Sequence, residues 1–224
     1  VDVFAKKCRL AIVNKDGIAK VSSKVLAGEV VTMSVNWEHI PAKHRSLIKA
    51  FLDEADMSAD VIKTVDFPPA YGADIVVSCE KEKDPKNGSI YLKPTQFVLG
   101  IGCRRNTAFE NIDRAIRQSL LKLQIDISDI DMIASIDVKK DEPGIKQFCD
   151  RNRIEFVTYT ADELMAVQGE FSASQFVKEH VGVDNVCERA AVLACSRECN
   201  KAGKLVYKKH KYDGVTVAAA KYPD

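Results

Sequence analysis

The sequence predicts an α/β protein made of two α/β domains, residues 1–94 and 95–224, the second a sheet with helices on both faces. Three observations carry this. From about residue 96, short apolar runs alternate with segments of helical periodicity, the pattern of strands linked by helices that cover a sheet. Residues 9–94 show a looser version of the same alternation. Between the two lies the charged, turn-forming stretch "EKEKDPKNGS", followed by Pro94, which suits a boundary. A chain of 224 residues, 46% of them hydrophobic, is long enough for two modest cores.

In the first domain, "RLAIV" (9–13) reads as a strand closed by the turn "NKDG". "IAKVSSKVLAGE" sets Ile18, Val21, Val25 and Leu26 on one helical face and stops at Gly28. "VVTMSV" (30–35) is a strand. "PAKHRSLIKAFLDEA" has Pro41 near its start and Leu47, Ile48, Phe51 and Leu52 on an apolar stripe, which predicts an amphipathic helix. "ADIVVSC" (73–79) is a buried strand, "DPKNGS" (84–89) a turn, and "IYLKP" a short strand.

The second domain opens with the strand "QFVLGIG". Thr107 and Glu110 make a T-x-x-E capping box, which predicts a helix starting at Thr107 and burying Phe109, Ile112, Ile116, Leu120 and Leu123. "DISDI" is a short helical turn and "MIASIDV" (132–138) a strand. "DEPGIKQFCDRN" begins a helix with acids and Pro143. "EFVTY" (155–159) is a strand, and Thr160 with Glu163 forms a second capping box. "SASQFVKEHVG" reads as a helix ended by Gly182. "DNVCERAAVLACSRECN" reads as another, capped by Asp184, with Val186, Ala190, Leu193 and Ala194 facing the core. "KLVYKK" and "GVTVAAA" are the last strands.

Lys plus Arg number 33 and Asp plus Glu 32, for a net charge of +1. With no long basic run, nothing favours nucleic acid as a partner. No apolar stretch approaches the roughly 20 residues of a membrane span, and no signal peptide is visible. The odd number of cysteines, seven, is spread through core-like segments, which suits reduced thiols and a cytoplasmic location. Cys195 and Cys199 are four apart on a helix, but there is no C-x-x-C, and the four histidines pair with neither, so no metal site is expected. The chain begins at Val1 rather than Met, as a processed product or part of something longer would.

The residues that could carry chemistry fall in three groups. In "LGIGCRRNT" (99–107), Gly102, Cys103, Arg104 and Arg105 lie in a strand-to-helix turn, at the sheet edge where ligands bind in open α/β sheets. Gly100 and Gly102 would let a ligand approach the backbone, and the guanidinium groups suit a carboxylate or phosphate. The alternative is a pair of solvated surface charges. A dinucleotide fingerprint is excluded, because the third glycine would fall at Arg105, and no Walker A loop occurs. Cys103, at a helix start beside two arginines, has a setting that lowers a thiol pKa, but small-residue packing in a tight turn is the favoured reading of it.

In "SIDVKKDEPG" (135–144), Ser135, Asp137 and Lys139 alternate at a strand end and so share one face. Asp137 suits a general base and Lys139 an anion contact; Asp141 and Glu142 read as ordinary helix-start acids. In "GVDNVCERAA", Asn185, Glu188 and Arg189 crowd the first helical turn. Glu188 is a second candidate base, and Asn185 and Arg189 are candidate ligand contacts. Dipole compensation and a structural ion pair are the alternatives. The basic run Lys208, Lys209, His210, Lys211 is either a solvated loop or a set of extra contacts to an acidic ligand.

Together and in this order, "LGIGCRRNT", "ASIDVKKDEPG", "FVKEHVGVDNVCERAAVLA" and "KLVYKKHKYDGVTVAAA" resemble the C-terminal domain of the CbiG family, the cobalt-precorrin-5A hydrolases of anaerobic cobalamin biosynthesis. CobE proteins of the aerobic pathway share this domain. The likeness covers about residues 96–220, and residues 9–94 resemble the family's more variable middle region. Family members carry a further domain upstream.

The resemblance implies hydrolysis of a δ-lactone on a cobalt-corrinoid substrate, with loss of acetaldehyde to give cobalt-precorrin-5B. Cobalt then enters inside the substrate, so no separate cofactor is expected, and other cobalamin-pathway enzymes are the implied protein partners. Asp137 or Glu188 would be the base. Arg104, Lys139 or backbone N–H groups would hold the oxyanion. A non-catalytic corrinoid-binding module of CobE type is the alternative.

Overall fold

The computed structural model describes residues 1–14, 17–55, 62–68, 72–79, 88–172, 182–199 and 202–223. They form two compact units, Val1–Thr95 and Gln96–Pro223.

The first unit contains α1 (Asp2–Lys7), β1 (Leu10–Ile12), α2 (Ile18–Leu26), β2 (Val31–Val35), α3 (Ala42–Ala55), β3 (Ile62–Val65), β4 (Ile75–Val77) and β5 (Ile90–Pro94). The strand order is β1-β5-β4-β2-β3, with β1 antiparallel to β5 and the other pairs parallel. Met33, Val35, Ile48, Ile75, Val77 and Leu92 fill its core. Two elements were not expected. The helix α1 buries Phe4 and Ala5, and β3 adds an edge strand beside β2. Of the apolar face predicted for α2, Val21 is buried and Ile18 packs on the core, whereas Val25 and Leu26 are exposed, Leu26 at 88%. Residues 80–87, most of the predicted boundary stretch, lie outside the described residues.

One buried charge ties this unit together. Asp74 accepts both oxygens' worth of contact from Lys24 Nζ, at 2.8 and 2.9 Å, and is also bonded by the amide and hydroxyl of Thr32, each at 3.0 Å. Burial alone would raise its pKa, but Lys24 and Thr32 together outweigh this and hold the carboxyl below its ordinary value. A depressed folded pKa contributes stability above the unfolded value, and that stability is lost as pH falls through the folded one. The Val1–Thr95 unit is therefore expected to weaken as pH drops below about 4. Urea melts of wild type and Asp74→Asn test this: the variant is less stable at pH 7 and loses less on acidification. Equal acid sensitivity of the two proteins would refute the assignment.

The second unit contains β6 (Phe97–Cys103), α4 (Phe109–Leu123), β7 (Ile130–Ile136), α5 (Pro143–Asn152), β8 (Glu155–Tyr159), α6 (Ala161–Met165), α7 (Val186–Cys199), β9 (Lys204–Lys211) and β10 (Val215–Lys221). Single turns of tighter helix cover 127–129 and 137–139. The strand order is β8-β7-β6-β10-β9. β6, β7 and β8 are parallel, while β10 runs antiparallel to both β6 and β9.

The sheet is covered on both faces. α6 and α7 pack over Val98, Met132, Ala134, Ile136 and Ala220. α4 and α5 pack over Leu99, Ile101, Ile133, Val217 and Ala219. The alternation of neighbouring residues between these clusters is the two-residue strand period made visible. Thr160 forms the predicted capping box, its hydroxyl accepting from the Glu163 amide at 3.2 Å while Glu163 accepts from the Thr160 amide at 2.7 Å. The helix predicted over "SASQFVKEHVG" falls on residues 173–181, outside the described residues.

Candidate anion site at the carboxyl edge of the second sheet

Because β6 and β7 are parallel, the Arg turn after Cys103 and the turn after Ile136 leave the same edge of the sheet. The β9–β10 hairpin reaches that edge too, since Val215 pairs with Cys103. The Arg104 amide donates to the Gly214 carbonyl at 3.0 Å, and the Arg104 side chain lies along Gly214. Gly214 has φ +69°, the left-handed turn conformation that favours glycine. Both Arg104 and Arg105 are exposed, and neither has an ion-pair partner among the described residues.

The helix behind this turn starts later than expected. Its first residue is Phe109, its cap position is Ala108, and no capping box forms with Glu110. The Thr107 amide instead donates to Glu142 Oε1 at 3.0 Å, and the Thr107 hydroxyl donates to the Arg104 carbonyl at 2.7 Å. A distant carboxylate has displaced the local one.

Glu142 was not singled out from sequence, where it read as one more acid ahead of a helix. It is 5% exposed. Besides Thr107 it accepts from Lys139 Nζ at 3.0 Å, and the two side chains are 4% and 14% exposed. One carboxylate thus ties the β7–α5 turn to the β6–α4 turn and holds the Lys139 ammonium at the edge. The available signal was Lys139 three residues before Glu142, a spacing that lets the two side chains meet across one turn. Gly144 makes the approach possible, because a Cβ there would lie 2.3 Å from the Thr107 carbonyl oxygen.

The expected alternation of Ser135, Asp137 and Lys139 does not survive. The strand stops at Ile136 and the next three residues turn tightly. Ser135 is fully buried and donates to the Ile101 carbonyl at 2.7 Å, which removes it from any ligand. Asp137 is exposed and its carboxylate accepts from the Val138 amide at 2.7 Å. For Cys103, burial pushes the thiol up, and Lys139 and Thr107 oppose this without reversing it, so the turn does not activate the thiol.

The residues at the start of α7 hold protein rather than reach outward. Asn185, not Asp184, caps the helix: its Oδ1 accepts from the Glu188 amide at 3.0 Å and its amide donates to the Ser172 carbonyl at 2.9 Å. Glu188 is fully buried and accepts from the Ser172 amide and hydroxyl and from the Lys209 amide, at 2.8, 2.9 and 2.6 Å. With three donors set on its carboxylate, its geometry is that of a strut rather than a base. Arg189 is engaged with Asp184 at 2.7 and 3.1 Å and with the carbonyls of Leu164 and Val167, and it stacks on Phe171.

The glycines also change meaning. A Cβ on Gly100 would fall 1.7 Å from the Cys187 carbonyl oxygen, so this glycine lets α7 lie against β6 and faces no ligand. Gly102 makes room for Thr216, whose hydroxyl donates to the Gly102 carbonyl at 3.2 Å.

The arrangement defines a class: an open α/β unit whose carboxyl edge presents the exposed cations Arg104 and Arg105, with Lys139 held beside them by Glu142. The family is defined by comparison. The model described as "Cobalamin synthesis G C-terminus" matches residues 97–220, more than half of the chain, and the chain belongs to that family. It is 27% identical over 234 residues to the cobalt-precorrin-5A hydrolase of Priestia megaterium, covering 100% of this chain and 58% of that protein. The Salmonella typhimurium cobalt-precorrin-5A hydrolase is 34% identical over 126 residues, which cover 56% of this chain and 34% of that protein. The crystal structure of CobE, a protein of the cobalamin biosynthetic pathway, aligns with TM-score 0.55 and 26% identity over 58% of this chain and 92% of CobE. The chain thus spans little more than half the length of the Priestia relative, and its place in cobalamin biosynthesis follows from these likenesses. Among the described residues no helix is long and apolar enough to cross a membrane, and no group of three or more metal-ligating side chains occurs.

Proposed function

We propose that this chain binds cobalt-precorrin-5A and takes part in its hydrolysis, opening the δ-lactone and releasing acetaldehyde. The observation that carries the reading is the exposed Arg104–Arg105 pair, with no acid set against it among the described residues. The substrate's acetate and propionate groups are what such a pair attracts. The hydrolase names of the relatives support the reaction class.

In this reading a water is deprotonated and attacks the lactone carbonyl carbon. The oxyanion is held by Arg104 or Lys139. The lactone C–O bond then breaks and its oxygen takes a proton, leaving the two-carbon fragment as an alcohol. That hydroxyl gives up its proton as its oxygen forms the aldehyde C=O, the C–C bond to the macrocycle breaks with its electron pair passing into the conjugated ring, and the fragment leaves as acetaldehyde. Of the two candidate bases, Asp137 is open to solvent, whereas Glu188 is saturated by three donors. Asp137 is therefore the base we favour. Cobalt arrives within the substrate, and no resident cofactor is invoked.

The test is to incubate the protein with cobalt-precorrin-5A and assay acetaldehyde. Release above the uncatalysed rate is the expected result. Arg104→Ala is expected to raise the substrate Kd roughly 10- to 100-fold, the loss of one charge-assisted hydrogen-bonding group; an unchanged Kd would sink the anion site. A second reading, a binding module without catalysis, is favoured by the likeness to CobE, 92% of which this chain covers. Tight binding with no acetaldehyde would select it.

A further inference from the structure

The four basic residues at the end of β9, Lys208 to Lys211, have not yet found a role. Two of them are engaged within the fold: Lys209 Nζ donates to the Ser172 carbonyl at 3.1 Å, and the His210 ring stacks on Tyr207 with centroids 4.1 Å apart. Lys208 and Lys211 are exposed and have no ion-pair partner among the described residues.

Register gives Lys211 a definite address. Thr216 pairs with Lys211 on one side and with Gly102 on the other. Cross-strand partners project to the same face, so Lys211, Thr216 and Gly102 form one row there. It is the face covered by α7, because Gly100, two residues earlier on β6, meets Cys187 of that helix. Gly102 contributes no side chain to the row. Arg104 flanks it at the hairpin tip, lying along Gly214. The row crosses two strand spacings, which sets the Lys211 and Gly102 backbones about 10 Å apart.

We infer that Lys211 is a second carboxylate contact of the site, reading a different acid of the same ligand from the one Arg104 reads. The inference rests on the anion-site reading above and narrows its substrate class. Lys211 on β9 and Arg104 in the β6–α4 turn are rooted on different elements, so each long side chain can take its own carboxylate. A rigid ring carrying acids on separate edges offers one to each. The hairpin then selects ligands by the number and spacing of their carboxylates, and amidation of the peripheral acids should cost affinity.

The test uses absorbance titration of the full chain with a cobalt corrin whose acetate and propionate groups are free, and with the same ring amidated. Wild type is expected to prefer the free acid. Lys211→Met should raise the free-acid Kd about 5- to 10-fold, the size of one surface-exposed charged contact, and leave the amidated Kd alone. Lys204→Met removes an equal charge at the opposite end of β9, where Lys204 faces Lys221, and should change neither. In the Arg104→Ala/Lys211→Met pair the two factors should multiply, as for independent contacts. If Arg104→Ala weakens binding and Lys211→Met does not, this inference fails while the anion site stands. If neither variant changes binding, both fail. An equal loss in Lys204→Met assigns the effect to overall charge and overturns the role of the hairpin.

Discussion

Gly100→Ala is expected to destabilise the Gln96–Pro223 unit by about 3 kcal/mol or more, at the upper end of overpacking costs and beyond. The added methyl would sit 1.7 Å from the Cys187 carbonyl oxygen, 2.7 Å from its carbon and 3.0 Å from the Ala191 amide nitrogen. All three are main-chain atoms of α7, so no rotamer change relieves the clash. The helix must lift as a body from β6, and it carries Ala190, Ala191, Ala194 and Cys195, each 0% exposed, in the same core cluster. Thermal melts should show a loss of more than about 10 °C. Gly102→Ala is the internal control. Its added methyl meets the Thr216 hydroxyl at 2.7 Å, and a side chain can turn away. Equal melting temperatures for Gly100→Ala and wild type would show that α7 does not pack on β6 as described.

The same pair of glycines shows what can be read from one sequence and what cannot. Two glycines in a strand suggest close backbone approach, and that much was legible. What approaches was not, because the partner of Gly100 lies some 87 residues further along the chain. Elements with strong periodicity were legible for a local reason: α4 and β6 carry their apolar stripes within a few residues. β3 was missed because its outward-facing edge position leaves only a weak apolar signal, two of its four residues being exposed.

Two capping boxes looked alike on paper. Thr160–Glu163 formed, Glu163 taking Thr160 on one oxygen and Arg197 on the other, while at Thr107 the amide found Glu142, 35 residues away. The candidate site divides along the same line. The exposed Arg104 and Arg105 were legible as a charged pair in a turn. Asn185, Glu188 and Arg189 have equally suggestive chemistry, and only the fold shows that their polar atoms are taken up by Ser172, Lys209, Asp184 and the carbonyls of Leu164 and Val167.

Glu142→Ala is expected to cost about 3–5 kcal/mol, as when one member of a buried ion pair is removed. The loss has two parts. The Lys139 ammonium, 14% exposed, keeps its desolvation cost and loses its counter-charge at 3.0 Å. The Thr107 amide loses its acceptor, which frees the turn that presents Arg104. A stability loss alone would not distinguish a structural pair from a functional one, so the double variant Lys139→Met/Glu142→Leu is the more informative protein. Replacing a buried pair by apolar groups of similar volume is often neutral for stability. The double variant should therefore melt closer to wild type than Glu142→Ala does. It should still bind the acidic corrin less well than wild type, because the site has lost an ammonium while keeping both arginines. Recovery of stability together with unchanged affinity would make the Lys139–Glu142 pair purely a brace between two turns. Recovery of stability with weakened binding would place Lys139 among the groups that meet the ligand, with Glu142 as the residue that positions it.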